Sequence, residues 1–127
     1  MKRRWLAPYS WEFISAQNAA LCAAKKATHG PTSDGYSVKM ELWTRKHGEE
    51  MTMAEAVELC RRSHQLAPFC YYNGNTFVAV IRDVIHQLKI FETERVALRS
   101  LAGHIVAGVA SQEEEKEFGR FCGEHGI

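Results

Sequence analysis

The stretch Phe69-Cys70-Tyr71-Tyr72-Asn73-Gly74-Asn75-Thr76-Phe77-Val78-Ala79-Val80-Ile81-Arg82-Asp83-Val84-Ile85-His86-Gln87-Leu88 decides the fold, because its two halves carry opposed signals. Asn73-Gly74 between aromatic and branched residues is a hairpin signal. Phe77, Val80, Ile81, Val84, Ile85 and Leu88 instead follow helical spacing. The longer pattern prevails. A helix is expected from here on, with Asn73 as its N-cap and Tyr72 stapled onto Phe77.

Upstream of it, Thr52 and Glu55 have the spacing of a capping box. The helix they open carries Met53, Ala56, Val57 and Cys60 on one face and stops before Pro68. Downstream, a helix runs from about Thr93 to Ala110. His104 is the only polar residue from Leu101 onward in that run, which predicts a central, buried helix. His104 is then a core histidine bonded to a carbonyl. Ser111 and Glu114 open the last helix, whose inward face is Phe118, Phe121 and Cys122 and whose end is Gly123.

The first helix starts after Ser10, a natural N-cap, and is rich in alanine from Trp11 to about Ala27. Thr28 to Gly35 reads as a loop. Tyr36-Ser37-Val38-Lys39-Met40-Glu41-Leu42 alternates apolar and polar residues, which predicts a half-buried strand. Trp43 breaks the alternation, Arg45 to Gly48 reads as a turn, and Glu49 to Met51 as a short return strand. The expected fold is mainly α: about five helices in one compact bundle, with a small β-hairpin between helices 1 and 2, forming a single domain over 1–127.

Composition agrees. The chain has 127 residues, 46% of them hydrophobic and 24% charged, as in an ordinary globular domain. Lys and Arg number 16 against 15 Asp and Glu, a net charge of +1, so the strong basic excess of a dedicated nucleic-acid binder is missing. Charge does segregate locally, with Lys2, Arg3 and Arg4 at one end and Glu113, Glu114, Glu115 and Glu117 at the other. Cys22, Cys60, Cys70 and Cys122 do not resemble a secreted disulfide framework and read as reduced thiols. After the basic start, Pro8, Glu12, Gln17 and Asn18 interrupt any apolar run that a signal peptide would need. No stretch has the length to span a bilayer. The expectation is a cytoplasmic protein with no membrane partner.

Three constellations could carry chemistry. Cys60 with His64, and Cys122 with His125, would make a Cys2His2 zinc set if the two pairs met. Cys70 near a helix start, with His104 and an orienting Asn73 or Asn75, would suit a cysteine nucleophile. No phosphate-binding glycine loop, nucleophile elbow or His-Glu-x-x-His occurs. The third constellation is a binding surface. Trp43, Arg45, Lys46 and His47 put an aromatic beside cations at the hairpin tip, and Tyr71 and Tyr72 supply aromatic anchors.

The reading that follows is a non-catalytic protein-interaction or regulatory module, binding a partner protein or its own copy. A nucleic-acid accessory role through Lys2 to Arg4 and Arg45 to His47 is the second reading, and a small cysteine- or zinc-dependent enzyme the third. No cofactor or metal ligand is assigned from the sequence.

Overall fold

The computed structural model describes residues 1–127 and contains six helices and no strand. They are α1 (Trp11–Ala24), α2 (35–46), α3 (Met53–Gln65), α4 (Asn73–His86), α5 (Glu92–Ala107) and α6 (Gln112–His125). The centre is α4, which packs against α1, α3 and α5, while α6 closes the far side on α5 and α3. Phe77, Val80, Ile81, Val84 and Ile85 of α4 are buried, as their spacing required. No helix is long and apolar enough to cross a membrane.

The expected hairpin is replaced by α2. Residues 35–46 form one continuous helical stretch, with a π-helical middle at Val38–Trp43. Its buried residues are Gly35, Val38, Leu42 and Trp43, a spacing of three and four rather than two. Tyr36 and Met40 shared the predicted strand face with Val38 and Leu42, yet both are exposed. The wider π turn brings two neighbours, Leu42 and Trp43, to the core together. A lone hairpin would leave Trp43 with no core to enter. Glu49 to Met51 does not return on this segment; Met51 forms an isolated antiparallel bridge with Arg3 instead.

Helix ends correct four further expectations. Chain reversal at left-handed Lys26 (φ 56°) ends α1 at Ala24, and the Ala27 amide donates to Cys22 O at 2.8 Å. That is a Schellman closure with lysine in the position glycine usually takes. Tyr72, not Asn73, is the N-cap of α4, and it too is left-handed (φ 59°). The Asn73 side chain reaches back and brackets Phe69, donating to its carbonyl at 2.8 Å and accepting from its amide at 2.9 Å. The end of α5 is set by Gly108 at φ 80°, so Val109 and Ala110 lie outside it and Val109 is exposed. Likewise Gly126, not Gly123, terminates α6. The capping boxes at Thr52/Glu55 and Ser111/Glu114 are present as expected.

With its end withdrawn, α5 is amphipathic rather than enclosed. Leu98, Ala102, Gly103, Ile105 and Val106 are buried, while Val96 and His104 face out. His104 is therefore no core histidine: its Nδ1 meets Glu114 of α6 at the surface.

Candidate functional site

The surface inferred around Trp43 does not form. Trp43 is fully buried, and its indole N–H donates to Tyr9 O at 2.8 Å. His47 stacks on the Trp43 ring, which leaves Arg45 and Lys46 exposed with no aromatic beside them. Tyr71 is exposed and Tyr72 half-buried, their ring centroids 6.4 Å apart.

The metal and nucleophile sets dissolve as well. Cys60 and Cys122 are buried, and burial alone raises both thiols, Cys122 to about 11 and Cys60 further. His64 Nδ1 lies 2.8 Å from Val106 O, while His125 stacks on Phe121 and places Nε2 3.1 Å from Glu94. Nowhere do three His, Cys, Asp or Glu side chains gather to hold a metal ion. Cys70 is exposed beside Pro31, whereas His104 is committed to Glu114, so the pair has no shared site.

What the structure assembles instead is a groove of about 680 Å3 between α1 and α2, floored by the loop 66–72. Trp11 and Phe69 stack in it, centroids 5.4 Å apart and planes 13° from parallel. Tyr36 stands at its lip, 71% exposed. Glu12 on α1 and Lys39 on α2 put opposite charges on its two walls.

One buried residue organises this groove. Asn18 is fully buried on the inward face of α1, one turn from both Ile14 and Cys22. Its Nδ2 donates to Tyr71 O at 2.7 Å and to Thr76 Oγ1 at 3.0 Å. Thr76 spends its own proton on Tyr72 O, so its oxygen is free to accept, and the orientation of the Asn18 amide follows. Asn18 Oδ1 must then be the acceptor facing His29 Nδ1, 2.8 Å away, so His29 carries its proton there. In the neutral ring, Nε2 is the acceptor at the groove, and the Ser15 hydroxyl lies 3.4 Å from it.

Ser15, His29 and Asn18 thus line up as hydroxyl, base and orienting amide. The arrangement stops short of an acyl-transfer centre. The amides around Ser15 lie inside α1 and donate to its own carbonyls, so none is aimed where an oxyanion would form. What remains is a fixed hydrogen-bond acceptor on an aromatic groove wall. Trp11, Ser15, Asn18, His29 and Tyr36 were not among the residues singled out from sequence. One signal did exist: Asn18 falls on the Ile14–Cys22 face of an apolar helix, where a polar side chain must find buried partners.

No protein-family model matches the chain, and neither the curated proteins nor the solved structures contain a significant match to it.

Proposed function

We infer that the protein is a non-catalytic interaction module whose α1–α2 groove receives a short segment of a partner protein. The observation that carries this reading is the groove itself: a Trp11–Phe69 floor under an exposed Tyr36, held in shape by the fully buried Asn18. Aromatic side chains presented on a rigid frame are the usual anchors of protein interfaces. A frame ordered before binding loses less entropy when the partner arrives. Tyr71, exposed on the same loop 66–72, extends the apolar surface, and Met40 does so along α2. The segment that fits carries bulky apolar side chains and a donor for His29 Nε2.

Selection of a random peptide library on the immobilised protein tests this reading. Enriched peptides should converge on a bulky apolar motif. Tyr36→Ala should weaken them about tenfold or more, as loss of an interface anchor does, while helical content stays unchanged. Peptides that bind Tyr36→Ala and the parent equally, or no enrichment, would remove the groove from consideration. A dimer that disperses on Tyr36→Ala would identify the partner as a second copy.

A further inference from the structure

Two arginines away from that groove, neither of them in an ion pair, line a second and shallower groove together. Elsewhere the arginine ion pairs close within single helices: Arg61 with Glu58, Arg95 with Glu92, Arg120 with Glu117 and Glu124. Arg95 also donates to Leu88 O at 2.7 Å. Arg82 on α4 and Arg99 on α5 lie in no ion pair, and the Nε of Arg99 is buried with no hydrogen-bond partner. Both line one shallow groove of about 450 Å3, together with His86, Asp83 and an apolar wall that includes Leu21 and Val78.

Gly103 shows where the Arg82 guanidinium lies. This glycine lies one helical turn beyond Arg99 on the same face of α5. A Cβ there would sit 3.4 Å from Arg82 Nη2 and 3.5 Å from its Nε, so the guanidinium of α4 lies across the α5 backbone. Asp83 is the acid of this groove, and its Oδ2 already accepts from the Tyr9 hydroxyl. The groove is thus lined by two guanidinium charges and one carboxylate charge.

The geometry of the donors selects the ligand. A planar guanidinium fork matches two oxygens of one anion. A carboxylate has two oxygens and satisfies one fork, whereas a phosphate monoester has three terminal oxygens and can engage two. The Leu21 and Val78 wall suits an organic body on the ester side. The net charge of +1 provides no extended basic track for a polyanion, so the fit is to a single phosphate group. We propose that Arg82 and Arg99 form a binding site for the phosphate of a small organic monoester, distinct from the α1–α2 groove.

Thermal unfolding with phenyl phosphate as the probe, at constant pH and ionic strength, tests the site, with sodium acetate as the control anion. The Tm should rise saturably with phenyl phosphate and not with acetate. Arg99→Met and Arg82→Met should each raise the half-saturating concentration about tenfold or more. Arg45→Met, at an exposed position on α2, should leave it unchanged. Arg99→Lys keeps the charge without the fork; it should also bind more weakly than the parent, and it carries the test if Arg99→Met does not fold. An equal rise with acetate, a rise that never saturates, or identical responses from Arg45→Met and the Arg99 variants would overturn the proposal, since general anion exclusion produces those results.

Discussion

Residues 1–52 and residues 53–127 are held together by different means. The second region is four helices around an apolar seam, marked by capping boxes at both outer helices, helical spacing in α4 and a glycine in the left-handed turn after α5. The first region has one regular helix, a π-helical stretch, and an extended start tied down by the Arg3–Met51 bridge. It shares the apolar core of the second region through Leu6, Ile14, Leu42 and Trp43, and adds polar contacts, from Asn18 to the Tyr71 carbonyl and Thr76 and from Tyr9 to Asp83. Of the three non-glycine residues in left-handed conformation, Lys26 lies in the loop between α1 and α2, and Ala67 and Tyr72 lie in the loop between α3 and α4. Left-handed backbone costs a non-glycine residue about 1 kcal/mol. Strain of this kind gathers where a surface is shaped for use. The comparison teaches that the regular half is scaffold and that the groove is built where the irregular half meets it.

Five substitutions break or sharpen that contrast. The largest effect belongs to Trp43→Ala, which empties a fully buried ring site and orphans the Tyr9 carbonyl. It should destabilise by about 3–5 kcal/mol in urea unfolding. A loss under about 1 kcal/mol would mean that α2 is not part of the cooperative core.

Asn18→Ala comes next, at about 2 kcal/mol or more, because it strips partners from Tyr71 O, Thr76 and His29. Hydrogen exchange should speed up in 66–73 and 25–30 before it does in α5 and α6. A uniform increase along the chain would refute the idea of a locally held groove.

Ala67→Gly should stabilise by about 0.5–1 kcal/mol, since it removes left-handed strain at φ 47°. Gly108→Ala, at φ 80°, should cost about 1 kcal/mol. If both changes move Tm in the same direction, the assignment of strain to the first and not to the second is wrong.

The smallest effect is electrostatic. The hydrogen bond from His104, followed by the amide of Ser111, holds the Glu114 carboxyl below the usual carboxylate range. A lowered folded value stabilises the protein above the unfolded carboxylate pKa, and that contribution is lost as pH falls through the folded value. Glu114→Gln keeps the capping geometry and removes the charge. It should therefore lower stability on the neutral side and leave the strongly acidic end nearly unchanged, which flattens the acid limb of the profile. An acid limb as steep as the parent's would show that Glu114 contributes nothing there.

The candidate groove was far less legible than the helices around it. Helical spacing in α4 depends on neighbours three and four residues away, and those are visible in the sequence. Tyr36 to Leu42 satisfied strand alternation and helical spacing at once, and Trp43, the residue that discriminates, read as a surface anchor. His104 looks buried in the sequence because the left-handed turn at Gly108 is not visible there, and Val109 and Ala110 beyond the turn read as part of the helix. The relay of Ser15, Asn18 and His29 joins parts of the chain separated by a loop, and its anchors Tyr71 and Thr76 lie more than fifty residues on.

Local sequence was sufficient for the helical class, the capping boxes that open α3 and α6, and the apolar faces of α3, α4 and α6, because each rests on residues within a turn or two of one another. The conformation of 35–46, the exposure of His104 and the proton position on His29 required the packed chain. Each turns on a partner distant in sequence: Tyr9 for Trp43, Glu114 for His104, and a buried Asn18 whose amide is oriented by Tyr71 and Thr76.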